Sequence, residues 1–190
     1  MKIHQPGESI QDPSVALQML KDGNARFVKG ELIDKSTYGA DLEVLKGGQK
    51  PFSVVVTCSD SRVAPEIYFD QKLGDIFICR NAGNIADTTA LGSLEYAVEV
   101  LGARLVCVVG HSACGAVVAA HGGGELPPNI QHVINHIKPA VDKGGDVNDC
   151  IKNNVLGMVE IIKADELVKK NNAMVVGGVF DIASGVVNWL

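Results

Sequence analysis

Three short apolar runs interrupt an otherwise mixed chain: Phe52 to Thr57, Ile76 to Ile78 and Leu105 to Val109. Each is rich in β-branched residues and shows no polar alternation, the pattern of strands covered on both faces in a parallel sheet. Before the third run, residues 89–101 place Leu91, Leu94, Ala97, Val98 and Leu101 on one helical stripe. Strand, helix and strand in that order predict a βαβ crossover, hence an α/β fold.

The flanks complete the outline. Asp12-Pro13 reads as an N-cap followed by proline at the first helical position, and Val15, Leu17, Leu20 and Phe27 carry a leading helix up to Gly30. Residues 30–50 are polar and read as a connecting loop, with a short helical turn from Asp41 to Leu45 before Gly47-Gly48. After Cys114 the pattern predicts a helix from Gly115 to Ala120, a glycine break at 122–124, and helical segments over Ile130 to Val141 and Val147 to Lys170. Ala173 to Phe180 and Val186 to Leu190 then read as strands joined through Ala183-Ser184-Gly185. The expected architecture is a central, mostly parallel sheet flanked by helices, with a C-terminal strand-turn-strand. At 190 residues it fits a single domain over 1–190, of which 1–30 form a helical arm.

Composition narrows the function. Hydrophobic residues at 46% and charged residues at 21% suit a soluble globular protein. A net charge of -5, with no window of clustered Lys and Arg, argues against a nucleic-acid partner. No segment approaches the roughly 18 uninterrupted apolar residues of a membrane span, and MKIHQPGESIQDP lacks the apolar centre of a signal peptide, so a cytoplasmic location is expected. Five cysteines without an export signal are expected to be reduced thiols. Such cysteines default to small buried apolar residues, and only a polar context changes that reading.

Two of the five have such a context. Cys58-Ser59-Asp60-Ser61-Arg62 follows the first strand, and Gly110-His111-Ser112-Ala113-Cys114-Gly115 follows the third. Both clusters should emerge at the same sheet edge, where open α/β sheets bind ligands. Zinc accepts thiolate and imidazole in a tetrahedral set, so Cys58, His111 and Cys114 can supply three ligands, with a fourth place for water or Asp60. A helix starting near Cys114 would favour its thiolate. His-x-x-Cys or Cys-x-Asp alone is a weak signal. A purely structural polar corner, the alternative, would have to explain two cysteines, a histidine, an aspartate and an arginine converging where apolar strands stop.

The runs CSDSRV at 58–63 and GHSACGAV at 110–117 resemble the two zinc-ligand motifs of the beta-class carbonic anhydrases. FDQKLGDIF at 69–77, CRNAGN at 79–84, LGSLEYAV at 91–98 and GGVFDIASGVV at 177–187 extend the likeness over nearly the whole chain. The resemblance implies one zinc per chain on Cys58, His111 and Cys114, with Asp60 and Arg62 as catalytic pair. It also implies a pocket holding Gln49, Phe77 and Tyr96, built across the interface of a homodimer or dimer of dimers. Val63 is expected to add a wall to that pocket, and the Gly115 N–H, with Gln49, to donate to developing carboxylate oxygens. Val55 stands where the bicarbonate-regulated branch of the family has tryptophan, so that regulation is not expected, although Arg80 is retained.

The implied reaction is reversible hydration of carbon dioxide to bicarbonate and a proton by attack of a zinc-activated hydroxide that Asp60 orients. Two thiolates cancel the charge of the metal, so activity should rise with pH. Asp60 bound to Arg62 leaves the site open, whereas Asp60 bound to zinc closes it. Two other functions remain compatible: hydrolysis of carbonyl sulfide or carbon disulfide on the same scaffold, and a binding module permanently closed by Asp60. His132 and His136 lack the glutamate of a metalloprotease motif and are read as helix surface, and His121 as an exposed residue. Gly122–Gly124 lacks the residues of a phosphate loop and reads as a turn. Cys79, Cys107 and Cys150 are read as structural.

Overall fold

The computed structural model describes residues 8–36 and 38–190. Its centre is a five-stranded sheet in the order β2-β1-β3-β4-β5, built from β1 (Ser53–Cys58), β2 (Ile76–Asn81), β3 (Leu105–His111), β4 (Met174–Phe180) and β5 (Val187–Trp189). The first four strands are parallel and β5 returns antiparallel to β4. Every residue of β1 and β3 is buried, as uninterrupted apolar runs require. Helices flank the sheet, in the layered arrangement expected.

The leading helix α1 (Pro13–Lys29) has the capping its sequence called for. Asp12 accepts from the Ser14 N–H at 2.8 Å, and Gly30 closes the helix at φ 71°. Its buried Asn24 stitches it to the chain's other end: Nδ2 donates to the Tyr68 and Gly185 carbonyls, and Oδ1 accepts from the Val187 N–H at 2.9 Å. The turn expected at Asp41 to Leu45 is a longer helix, α2 (Tyr38–Leu45). α3 (Pro65–Tyr68) lies in a stretch with no helical periodicity and was not expected. α4 (Thr88–Glu95) runs on into a π turn at Tyr96–Val100.

α5 (Gly115–Gly122) and α6 (Pro128–Val141) follow the expected bounds closely. The segment read as one helix over 147–170 is two, α7 (Val147–Ala164) and α8 (Glu166–Lys170). Asp165 breaks it by capping the second, its carboxylate accepting from the Leu167 and Val168 N–H groups. β2 also runs past the apolar run of 76–78, through Cys79, Arg80 and Asn81. Among the described residues no helix is long and apolar enough to cross a membrane.

One topological fact positions the site. From β1 the chain proceeds to β2 on one side, and from β3 to β4 on the other. The adjacent strands β1 and β3 therefore send their following segments apart, opening a crevice at their C-terminal ends, the switch point at which such sheets bind ligands.

Candidate metal centre

Cys58 ends β1, His111 ends β3, and Cys114 is the N-cap of α5. The pairing of Thr57 with Val109 sets the first two strand ends side by side. The two sulfurs and one ring nitrogen of His111 lie within 4.8 Å of one another, and all three residues are buried. The His111 Nδ1–H donates to the Ser112 carbonyl at 2.9 Å, which fixes the tautomer and leaves Nε2 with its lone pair. Among the described residues Nε2 is buried without a hydrogen-bond partner. A buried acceptor left unmatched beside two thiols is what a divalent cation would complete, and the soft, three-ligand donor set fits zinc.

Local electrostatics favour a positive centre there. The contact with the Cys114 thiol draws Cys58 down to about 4 against the opposing effect of burial, helped by His111 and by the Gly83 N–H, which points at the Cys58 sulfur from 3.5 Å. Cys114 moves the other way, because Cys58 holds the charge and burial disfavours a second thiolate, although the Val117 and Ala116 N–H groups of α5 favour it. Burial pulls His111 down, but its interaction with the Cys58 sulfur and its bond to Ser112 outweigh that, so it shifts up.

Asp60 stands beside the cluster, Oδ2 lying 3.9 Å from His111 Nε2, but it is engaged elsewhere. Arg62 grips it bidentately, Nε to Oδ1 at 2.9 Å and Nη2 to Oδ2 at 2.6 Å, and the Arg62 backbone N–H adds a third bond at 2.9 Å. These bonds hold the Asp60 carboxyl well below the usual carboxylate range. Arg80 braces the same loop from β2, donating to the Cys58 carbonyl at 3.0 Å and the Asp60 carbonyl at 2.7 Å.

The other residues named from the sequence divide. Val63 is buried in the turn just after Arg62, its N–H bonded to the Asp60 carbonyl, and Gly115 opens α5 next to Cys114. Phe77 and Tyr96 do meet, with ring centroids 6.4 Å apart. Phe77 pairs with Val54, however, at the opposite end of β1 from Cys58. Four residue steps along the strand separate Val54 from Cys58, roughly 13 Å, and exposed Gln49 precedes β1 at that same far end. Within one chain these three residues are not brought to the cluster. His132 and His136 pack ring to ring on α6, with centroids 4.9 Å apart. His121 Nε2 lies 3.4 Å from the Gly145 carbonyl. Cys79, Cys107 and Cys150 are buried.

Sequence reasoning missed Gly83 and Arg80 as parts of the site. Arg80 offers no signal of its own, since its targets are backbone carbonyls set by strand register. Gly83 is marked only by being a glycine, held at φ 74°.

Comparison with known proteins agrees with this geometry. The sequence profile of the carbonic anhydrase family matches residues 53–187. The chain is 46% identical over 134 residues to carbonic anhydrase 2 of Mycobacterium tuberculosis, and 45% identical over 134 residues to a carbonic anhydrase of Mycolicibacterium smegmatis. Each match covers 68% of this chain and 65% of the relative's own length. Among solved structures, the Coccomyxa beta-carbonic anhydrase in complex with acetazolamide superimposes with a TM-score of 0.72 at 25% identity, covering 95% of this chain and 87% of that one. A carbon disulfide hydrolase shares the fold at a TM-score of 0.59 and 22% identity, covering 92% and 88%. A profile match over most of the chain, with both cysteines and the histidine of the cluster inside it, shows that the chain belongs to the beta-carbonic anhydrase family.

Proposed function

We propose that this protein is a zinc-dependent carbonate dehydratase that converts carbon dioxide and water reversibly to bicarbonate and a proton. The observation that carries the reading is the bidentate grip of Arg62 on Asp60, which keeps the carboxylate beside the ligand cluster but out of it. Zinc on Cys58, His111 and Cys114 supplies the Lewis acidity that makes water nucleophilic; with two thiolate ligands cancelling its charge, that acidity is weaker than at a three-histidine site. Asp60, kept ionised by Arg62, is a pure hydrogen-bond acceptor and orients the attacking water by accepting a hydrogen bond from its O–H. The Gly115 N–H, at the start of α5, donates to the carboxylate oxygens as charge develops on them. Val63 walls the substrate site next to that turn.

Gln49, Phe77 and Tyr96 complete the pocket from a second copy of the chain, so the working unit is a homodimer or a dimer of dimers, each copy a single domain. Its location is cytoplasmic, in keeping with five free, buried cysteines.

Stopped-flow hydration of carbon dioxide across pH, on native protein and Asp60→Asn with zinc quantified in both, tests the reading. We expect native activity rising from neutral to alkaline pH, and a large loss in Asp60→Asn at unchanged zinc content. Zinc-loaded native protein without hydratase activity at any pH would overturn the function, and a strong preference for carbonyl sulfide would overturn the substrate. Light scattering that found a fully active monomer would remove the shared pocket.

A further inference from the structure

The turn from His111 to Cys114 is not a relaxed one. Ala113 sits at φ 54°, in the left-handed region that non-glycine residues avoid. Such a residue persists only where its surroundings hold it, and the holding runs through Ser112. The Ser112 N–H continues the strand ladder to the Phe180 carbonyl at 2.9 Å. Its hydroxyl accepts from the Ile182 N–H at 2.9 Å and donates to Asp181 Oδ1 at 3.2 Å. Asp181 is itself fixed within the turn that joins β4 to β5. Its Oδ2 accepts from the Ser184 hydroxyl at 2.6 Å and the Ser184 N–H at 3.3 Å, and its Oδ1 also accepts from the Ala183 N–H.

The path ends at the metal ligand. The peptide whose orientation Ser112 fixes carries the carbonyl that receives the His111 Nδ1–H, and that bond aims Nε2. We propose that Asp181 is a positioning residue of the metal centre: through the Ser112 hydroxyl it sets the Ser112 carbonyl, and through that carbonyl the direction of the His111 imidazole. This rests on the zinc reading given above. Groups that orient a ligating histidine are worth about 10- to 100-fold in metal affinity, and a link acting through one intervening peptide belongs at the lower end.

Zinc affinity, measured by titrating the metal-free full chain against a chromophoric chelator, provides the readout. Ser112→Ala, which removes the hydroxyl and keeps the carbonyl, is expected to weaken zinc binding about tenfold. Ser112→Thr, which restores a hydroxyl, should return the affinity to within about twofold of native. If Ser112→Ala binds zinc as native does, the positioning role is wrong. Asp181→Ala tests Asp181 directly and stands in should Ser112→Ala fail to fold, with about a threefold loss supporting the link and native affinity refuting it. Failure of the native chain to bind zinc would instead remove the metal reading itself, and this inference with it.

Discussion

Gly83→Ala tests the packing behind the ligands. Gly83 follows β2, and its N–H points at the Cys58 sulfur while its carbonyl accepts from buried Asn154 Nδ2 at 2.9 Å. Its φ of 74° costs an alanine roughly 1–2 kcal/mol. A Cβ there would stand 2.5 Å from Ile137 Cδ1 and 3.2 Å from the Ala116 Cβ. Ile137 is fully buried and cannot swing into solvent, so overpacking adds about 1–3 kcal/mol. The sum is about 2–5 kcal/mol, a large share of a typical domain's stability.

The two contributions can be separated. Ile137→Val removes the clashing Cδ1 at its own cost of about 0.5–1.5 kcal/mol. In that background Gly83→Ala should cost only the backbone part, about 1–2 kcal/mol, because the remaining Ala116 contact is a few tenths of an ångström tight. Urea unfolding of the four proteins of this cycle at fixed zinc gives the coupling directly. A Gly83→Ala protein within about 0.5 kcal/mol of native, or an undiminished penalty in the Ile137→Val background, refutes the reasoning.

Further outcomes follow from the same geometry. Arg62→Ala frees Asp60 to turn toward the ligands, so hydration near neutral pH should drop at least about tenfold with zinc retained, and Arg62→Lys, lacking the planar fork, should fall between; native-like activity in Arg62→Ala would contradict the gripping role. The hydrogen bonds from Arg62 depress the folded pKa of Asp60, so the pair's contribution is present above the ordinary aspartate value of about 3.9 and is lost only as pH falls through the lower folded value. Activity between about pH 5 and 9 should therefore show no inflection from Asp60, and in Arg62→Ala an inflection should move up toward the ordinary aspartate range, read from pH–rate profiles of both proteins. Removing zinc with a chelator should lower the melting temperature by roughly 5–10 °C, the shift expected when a ligand at about 100 times its dissociation constant is withdrawn, with the far-ultraviolet spectrum unchanged; an unfolded metal-free chain would show the fold to depend on the ion.

Much of this was legible because burial leaves a mark on composition. Where β1 and β3 are covered on both faces, the residues are apolar without alternation, and the polar residues that interrupt them stand out. Cys58 and His111 were found as exceptions to a pattern. β2 left a fainter mark: it is an edge strand whose far half is Cys79-Arg80-Asn81, so a hydrophobic reading stops at Ile78 although the ladder continues to Asn81. α3 spans four residues, too short to display a period. Arg80 and Gly83 act on backbone and sulfur atoms brought to them by strand register, which no single stretch of sequence encodes. The far-end position of Gln49, Phe77 and Tyr96 has the same origin, since a motif aligned along the chain says nothing about which end of a strand it occupies.

The distribution of backbone strain makes a related point. Four described non-glycine residues have positive φ, and two of them stand by the ligand cluster: Ala113 lies between His111 and Cys114, and Asn84 follows Gly83, whose N–H points at the Cys58 sulfur. Both stand where the chain must turn off a strand at once: Asn84 just past the end of β2, and Ala113 between the last residue of β3 and the first turn of α5. A Cβ at position 83 would meet Ile137 and Ala116, so that exit is open only to glycine without repacking. The strain is local to the exits of β3 and β2, which bring the Ala113 turn and the Gly83 N–H against the ligands. The hydrogen bonds of Ser112, Asn154 and Arg80 hold those exits in place. These are bonds within the protein, and zinc binding adds its stabilisation to the one they give.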